Sequence, residues 1–143
     1  MMGYSEWFEA HAAAHKALID KLLARGLGKT EIIDYFDFEN MVEAESDFCP
    51  LYAEKRKCHE MEKLNCYLCA CPNFRFRDEG IRQAEGKTVY SECAIASKEG
   101  KPGVYGDAVH QDCSGCTVPH RCAYIEKVFD TAWRKIMAEC RLP

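Results

Sequence analysis

CHEMEKLNCYLCACPNFRF, residues 58–76, is the stretch around which the rest of this chain must fold. Four thiols and one imidazole fall within its first fourteen residues. Cys66 and Cys69 form a C-x-x-C pair, and Cys71 stands directly before Pro72. Metal-binding loops use the C-x-x-C spacing because it aims two sulfurs at one ion. We call residues 58–76 the first cysteine motif, and it predicts a metal centre built on loops.

A second cysteine motif lies downstream in DCSGCTVPH, residues 112–120. It contains another C-x-x-C pair, Cys113 and Cys116, and ends on His120. Two such pairs far apart in sequence predict two loops that meet on one inorganic centre. The predicted metal ligands are Cys58, His59, Cys66, Cys69, Cys71, Cys113, Cys116 and His120, with Cys49 and Cys122 as additional candidates.

Length and composition are those of an ordinary globular domain. The chain has 143 residues, of which 48% are hydrophobic and 29% charged, enough for one modest core. Its net charge of -4 provides no general attraction to nucleic acid. No apolar run reaches the length of a membrane span, and the N-terminus lacks the pattern of a secretory signal. We therefore expect a cytoplasmic protein with no nucleic-acid or membrane partner.

The ten cysteines then need a chemical explanation. In a reducing compartment this density indicates metal or redox chemistry, and the C-x-x-C pairs favour metal. In a secreted chain the same thiols could form a disulfide framework, which is the alternative. Cys93 lies in the apolar context ECAIA, which suits an inert buried thiol, and an outlying metal ligand is the alternative.

Hydrophobic periodicity predicts helices at both ends of the chain. Apolar residues recur at helical spacing over 4–25 and over 122–140, and a short second helix is expected over 31–37. Acidic residues in 38–48 predict a loop or loosely helical linker. Strand-like residues at both ends of 88–105 predict a hairpin.

The predicted fold is therefore a small α+β protein, with amphipathic helices flanking a loop-rich cysteine centre that contains short strands or a hairpin. Residues 1–48 would form a helical hairpin and acidic linker, 49–121 a cysteine-rich metal-binding domain, and 122–143 a C-terminal helix. All three are expected to pack as one globular unit. His11 and His15 lie four residues apart on the first helix, where a solvated face is expected.

The two motifs together resemble the cysteine-rich small domain family. The resemblance covers roughly residues 49–121 and rests on Cys58-His59, on Asn65-Cys66-x-x-Cys69-x-Cys71-Pro72, and on Asp112-Cys113-Ser114-x-Cys116-x-x-Pro119-His120. The family is described as a metal-binding module of bacteria and archaea. Its members stand alone or are fused to enzymes, including enzymes of cobamide synthesis. The resemblance implies metal binding but no particular reaction.

The sequence leaves two metals open. Zinc takes four thiolate or imidazole ligands. One zinc site could be Cys66, Cys69, Cys113 and Cys116, while Cys58, His59, Cys71 and His120 form a second site or support the first. A [4Fe–4S] cluster takes four thiolates, often with a proline after a ligand cysteine, and Cys71-Pro72 fits that habit.

Three functions are consistent with these residues. The first is a non-enzymatic metal-binding module, structural in role, that binds a protein partner through its flanking helices. The second is an electron-transfer or redox-sensing [4Fe–4S] protein. The third is a thiol enzyme that uses Cys58 with His59 or His120, since an imidazole can activate a thiol. The first is preferred, and the oligomeric state is left open.

Overall fold

The computed structural model describes residues 3–142 and confirms the predicted α+β class, with helices at both ends and short strands in two small sheets. The α-helices are α1 Tyr4–Ala24, α2 Lys29–Tyr35, α3 Phe38–Ala44, α4 Cys122–Val128 and α5 Trp133–Ile136. Two 3-10 helices span Pro50–Glu54 and Val118–His120. The strands are β1 Phe74–Phe76, β2 Arg82–Ala84, β3 Lys87–Val89, β4 Ser91–Cys93, β5 Lys101–Tyr105 and β6 Ala108–Asp112.

Helix α1 matches the predicted N-terminal helix to within one residue. A residue far away in the sequence caps its first turn: the Ser5 N–H donates to the Asp78 carboxylate at 3.3 Å. The helix ends where the Leu27 N–H donates to the Leu22 carbonyl at 3.2 Å and Gly26 takes a φ of +80°, a left-handed conformation that glycine tolerates. This remote cap ties the start of α1 to the loop after β1.

The next two helices differ from the prediction. Helix α2 begins earlier than the predicted residue 31, because the Gly28 N–H donates to the Glu31 carboxylate at 3.0 Å and caps the helix there. The acidic linker predicted over 38–48 contains helix α3 instead. Phe38 and Met41 are buried, so α3 packs one apolar face inward while most of its acidic side chains face water.

The predicted hairpin over 88–105 is wrong in its pairing. Thr88 pairs with Gln83 in an antiparallel hairpin and with Ala108 in a parallel ladder, whereas Val104 pairs with Val109. The four-stranded sheet has the order β2-β3-β6-β5, and a second sheet pairs β1 with β4. The tight turns of this sheet occur at Gly86 before β3 and at Gly106 before β6, and both glycines have positive φ.

The single C-terminal helix predicted over 122–140 is two short helices. The chain breaks between α4 and α5, where the Asp130 carboxylate accepts the Ala132 N–H at 2.8 Å. The Tyr67 hydroxyl donates to the Asp130 carbonyl at 2.5 Å. These local bonds replace helix bonds over 129–132, and they tie the break to the first cysteine motif.

The hydrophobic core lies between the terminal helices and the first cysteine motif. Leu64, Tyr67 and Leu68 are buried in the same cluster as residues of α1, α2, α4 and α5. The apolar residues on either side of Cys66 therefore hold the Cys66–Cys69 turn against the helices. None of the helices in the described range has both the length and the apolar character that crossing a bilayer requires.

His11 and His15 are buried, so the solvated face expected for them is wrong. They are 9% and 0% exposed, and the His15 ring lies 5.2 Å from the Phe36 ring. Burial lowers the pKa of His11 to about 4 and that of His15 to about 3. Between about pH 4 and pH 6.5, both imidazoles are therefore neutral in the folded protein, whereas the same histidines are protonated in the unfolded chain.

We expect a pH dependence of stability from these two histidines. Their contribution is complete above the unfolded pKa of about 6.5 and is lost as the pH falls towards the folded values. At pH 5 each histidine should lower the free energy of unfolding by about 2 kcal/mol relative to pH 7.5. Denaturant titrations of wild type and His15→Leu at each pH measure this. Between pH 7.5 and pH 5, the free energy of unfolding of wild type should fall by about 2 kcal/mol more than that of His15→Leu. An equal fall in both proteins would contradict the role of His15.

Candidate metal centre

Nine of the ten cysteines line two neighbouring cavities. The smaller cavity, of about 140 Å³, is lined by the small-cavity thiols Cys49, Cys58, Cys66 and Cys69. The larger, of about 500 Å³, is lined by the four thiols that we call the large-cavity thiols, Cys71, Cys93, Cys113 and Cys116. Buried Cys140 also lines it, and its thiol donates to the Cys71 carbonyl at 3.5 Å. The side chains of Cys58, Cys69 and His120 line both cavities and so mark the boundary between them. All ten cysteines are free thiols.

A strained turn separates the two thiol groups. The Cys69 N–H donates to the Cys66 carbonyl at 3.3 Å, and the Cys71 N–H donates to the Leu68 carbonyl at 2.9 Å. Ala70 and Cys71 have φ values of +88° and +50°, which non-glycine residues rarely adopt. After this reversal Cys71 lines only the large cavity, whereas Cys69 lies at the boundary and lines both. Such strain is typical of functional sites.

The small sheet brings Cys93 beside Cys71. Strands β1 and β4 are antiparallel, and Cys93 pairs with Phe74. The Ala94 N–H donates to the Asn73 carbonyl at 2.7 Å and extends this pairing towards the first cysteine motif. A hydrogen-bonded pair of short strands thus places a thiol from the middle of the chain against one from the first motif.

The second cysteine motif completes the group. The Cys116 N–H donates to the Cys113 carbonyl at 3.0 Å, which closes a turn directly after β6. Gly115 favours this close approach, because a Cβ atom there would lie 3.1 Å from the Glu99 carbonyl oxygen. The Asp112 carboxylate accepts the Ser114 N–H at 2.9 Å and stabilises the turn.

The electrostatics of the thiols follow the same division. Burial raises the pKa of Cys66, Cys69 and Cys113 to about 12 each. Burial is the largest cause, and neighbouring thiols raise these pKa values further. The thiols that raise the pKa of Cys69 are small-cavity thiols, and those that raise the pKa of Cys113 are mainly large-cavity thiols. Thiolates are therefore unfavourable in either cavity without a cation, and a bound metal reverses this because it stabilises thiolate ligands.

Cys58, His59 and His120 form a tighter group at the boundary. Cys58 Sγ lies 3.0 Å from His59 Nδ1 and 3.5 Å from His120 Nε2. Each of the three residues offers one ligand atom, and these atoms lie within 4.8 Å of one another. Within residues 3–142, no other group of three or more Cys, His, Asp or Glu residues meets this distance.

The outer nitrogen of each imidazole bonds to a backbone carbonyl. His59 Nε2 lies 2.9 Å from the Cys113 carbonyl oxygen, and His120 Nδ1 lies 2.8 Å from the Asn65 carbonyl oxygen. Metal-binding histidines usually have their second nitrogen held in this way, which fixes the ring and its tautomer. The first of these bonds also connects Cys58 with the turn of the second motif.

Asn65 joins the site to the N-terminal helices. Its side-chain amide donates to the Ile33 carbonyl at 2.7 Å and to the Asp37 carboxylate at 2.8 Å. Its side-chain oxygen accepts the Tyr67 N–H at 2.9 Å, and the residue is 0% exposed. The three partners of this side chain lie on helix α2, at the start of helix α3 and in the first cysteine motif. Asn65 therefore fixes the start of the Cys66–Cys69 turn.

We expect Asn65→Ala to lower the free energy of unfolding by about 3 kcal/mol, because it leaves the Tyr67 N–H buried without a partner and removes the bonds to the Ile33 carbonyl and the Asp37 carboxylate. Asn40→Ala is the matched control, since exposed Asn40 makes one side-chain bond, to the Tyr35 carbonyl, and its loss should cost under about 1 kcal/mol. Urea unfolding of both variants measures the difference, and equal losses would contradict the role of Asn65.

The structure groups the predicted ligands differently from the zinc arrangement considered above. Cys66 lines only the small cavity and Cys69 lines both, whereas Cys113 and Cys116 line only the large one. Of the additional candidates, Cys49 lines the small cavity. Cys122 begins α4 and, within the described part of the chain, lines neither cavity.

Cys93 is the residue that sequence reasoning missed, because its apolar neighbours suggested an inert thiol. One signal could have identified it. The Ala96 N–H donates to the Cys93 carbonyl at 3.3 Å, so ECAIA folds as the same kind of turn as a C-x-x-C pair, with alanine in the fourth place.

No family model, curated protein or solved structure matches this chain, so its resemblance to the cysteine-rich small domain family stays a prediction.

Proposed function

We propose that this chain is a metal-binding protein whose large-cavity thiols hold one inorganic centre. The observation that carries the proposal is the convergence of Cys71, Cys93, Cys113 and Cys116 on one cavity from distant parts of the sequence. Three separate backbone devices produce it: the strained turn at Ala70, the β1–β4 pairing and the turn after β6. Four thiols are a complete ligand set for zinc or for an iron–sulfur cluster.

The spacing of the thiols favours an iron–sulfur cluster over zinc in the large cavity. Zinc–sulfur bonds of about 2.3 Å in a tetrahedron hold the sulfurs about 3.8 Å apart. Within residues 3–142, no three thiols lie within 4.8 Å of one another. In a [4Fe–4S] cluster each thiolate binds a different iron, which accommodates sulfurs that are farther apart. Zinc is the alternative, and it would require the thiols to move closer together.

An iron–sulfur centre would make electron transfer or redox sensing the second candidate function. The cluster, when bound, exchanges an electron. The chain itself would hold it with four thiolates and surround it with aromatic rings, since Tyr4, Trp7, Phe8, Phe74 and Phe76 line the same cavity. Such an apolar lining limits the access of water and so affects the potential of a centre.

A protein partner is expected at the mouth of the large cavity. Ile95 and Trp7 line the cavity and are 55% and 39% exposed. Exposed large apolar side chains beside a metal centre are typical of a docking surface. We infer a binding role rather than an enzymatic one, with no nucleic-acid partner, since the net charge of -4 does not attract phosphate.

Anaerobic purification followed by analysis of zinc, iron and acid-labile sulfide, with a visible spectrum, tests the proposal. We expect about four iron and four sulfide per chain, with broad absorption in the visible range. A colourless protein with zinc bound in the large cavity would support metal binding but exclude the electron-transfer role. A protein that purifies without metal, and binds neither metal on reconstitution, would contradict the proposal.

A further inference from the structure

We infer that a second metal ion, a zinc-like divalent cation, binds at the boundary of the two cavities to Cys58, His59 and His120, with Cys69 in the fourth position. This site differs from the centre in the large cavity in its residues, its ligand chemistry and its spacing. It goes beyond the proposed function and does not depend on which metal the large-cavity thiols hold.

The hydrogen bonds determine the tautomers of both imidazoles. The carbonyl oxygens of Cys113 and Asn65 can only accept, so the nitrogens that face them, His59 Nε2 and His120 Nδ1, carry the hydrogens. The other nitrogens, His59 Nδ1 and His120 Nε2, therefore present lone pairs. Both lone pairs face the sulfur of Cys58, at 3.0 Å and 3.5 Å.

The thiol of Cys58 cannot satisfy both imidazoles. It has a single hydrogen, which can be donated to one lone pair and leaves the other facing the sulfur without a donor. His120 is 5% exposed, so water has little access to its ring. A cation bound to the Cys58 thiolate and to both lone pairs satisfies all three groups at once, which no arrangement of one thiol hydrogen can do.

The donor set and its spacing select the metal. One thiolate and two imidazoles suit zinc and similar borderline cations, whereas magnesium and calcium take oxygen ligands. The ligand atoms of Cys58, His59 and His120 already lie within 4.8 Å of one another, close to the spacing that a tetrahedral zinc ion imposes. Within the described range, no three large-cavity thiols lie within 4.8 Å of one another, so the two sites are expected to hold different metals.

The surroundings of the site support the ligand assignment. His120 is clamped to Asn65 by two bonds, since the Asn65 N–H also donates to the His120 carbonyl at 3.1 Å. Cys69 lines both cavities, as Cys58 and His120 do, which places it beside the open fourth position. A Cys₂His₂ set is among the common ligand sets of structural zinc.

Two buried polar groups next to the small cavity lack partners and fit a charged centre there. Tyr52 Oη and His11 Nε2 both line this cavity, and neither makes a hydrogen bond within the described part of the chain. Tyr52 is 4% exposed and lies near the Cys66 sulfur without reaching hydrogen-bond geometry with it. Such orphaned donors are costly unless thiolates or another acceptor occupy the cavity.

Titration of the metal-free, reduced chain with Co²⁺ tests the site, because cobalt reports its coordination in its visible spectrum. We expect wild type to bind cobalt tetrahedrally with a sulfur-to-cobalt charge-transfer band. His59→Ala and His120→Ala should each weaken that binding by at least about 100-fold. His110→Ala is the matched control, since His110 stacks on Tyr90 and is not among the described residues that line either cavity, and it should leave cobalt binding unchanged.

Further variants separate loss of a ligand from loss of the fold. His120→Cys keeps a ligand atom and should restore cobalt binding with a stronger charge-transfer band. Cys93→Ser should remove iron and sulfide from the large cavity while the cobalt site remains. Unchanged cobalt affinity in both alanine variants, or Cys58 that reacts with iodoacetamide as fast in zinc-loaded as in zinc-free protein, would overturn the inference. A chain that binds no metal at all would contradict the proposed function as well.

Discussion

Chelation of the bound metal is expected to lower the unfolding temperature by about 20 °C or more. Structural metal binding contributes on the order of 10 kcal/mol to folding, and each kcal/mol is worth about 2–4 °C in a chain of this length. Residues 58–73 contain turns, bends and one isolated bridge but no helix or strand, so they have few backbone bonds of their own. Calorimetry of the loaded and the chelated protein measures the shift.

Hydrogen exchange shows whether the loss begins in the expected place. The amides around Cys66–Cys71 and Cys113–Cys116 should lose protection first on chelation, because metal binding is what holds these turns together. Amides in the buried part of α1 should keep theirs until global unfolding, because α1 packs in the hydrophobic core. Equal melting temperatures with and without chelator would show that the metal does not hold the centre together.

Replacing Cys93 with serine is expected to abolish the large-cavity centre. The variant leaves three thiols for a group that needs four, so bound iron or zinc in that cavity should fall to near zero and its affinity by more than about 100-fold. Cys93 is only partly buried and its β4 partners bond through the backbone, so the small sheet should survive. Metal analysis and the visible spectrum of the purified variant measure the effect.

Cys122→Ser is the matched control for this substitution. Cys122 is also a partly buried thiol, but it lies at the start of α4 and away from both cavities within residues 3–142. We expect its metal content to equal that of wild type. Equal metal content in Cys93→Ser and Cys122→Ser would remove Cys93 from the ligand set and with it the four-thiol centre.

Periodicity and spacing predict the parts of this protein that depend on nearby residues. Helix α1 follows from the recurrence of apolar side chains, and the two C-x-x-C turns follow from local spacing. The C-terminal segment has the same periodicity as a single helix but breaks at Asp130, because a side-chain bond and the hydroxyl of the distant Tyr67 compete with the helix there. Helical periodicity cannot show such competition, since the partner lies far away in the sequence.

The grouping of the thiols was not predictable from their spacing. Cys69 and Cys71 lie two positions apart with a left-handed backbone at Ala70 between them, and Cys69 lines both cavities whereas Cys71 lines only the large one. Cys93 joins the large-cavity thiols through the β1–β4 pairing, and the prediction paired the strands of this region differently. Sequence motifs therefore identified most candidate ligands, whereas long-range pairing determines which of them can share a metal.

The most direct measurement is mass spectrometry of thiol alkylation in the loaded protein. A shared centre in the large cavity predicts that Cys71, Cys93, Cys113 and Cys116 are protected together and become reactive together when the metal is removed. Cys122 should react at the same rate in both states. Rapid alkylation of Cys93 in the loaded protein, or independent rates of deprotection for the four thiols on chelation, would contradict a centre held by all four.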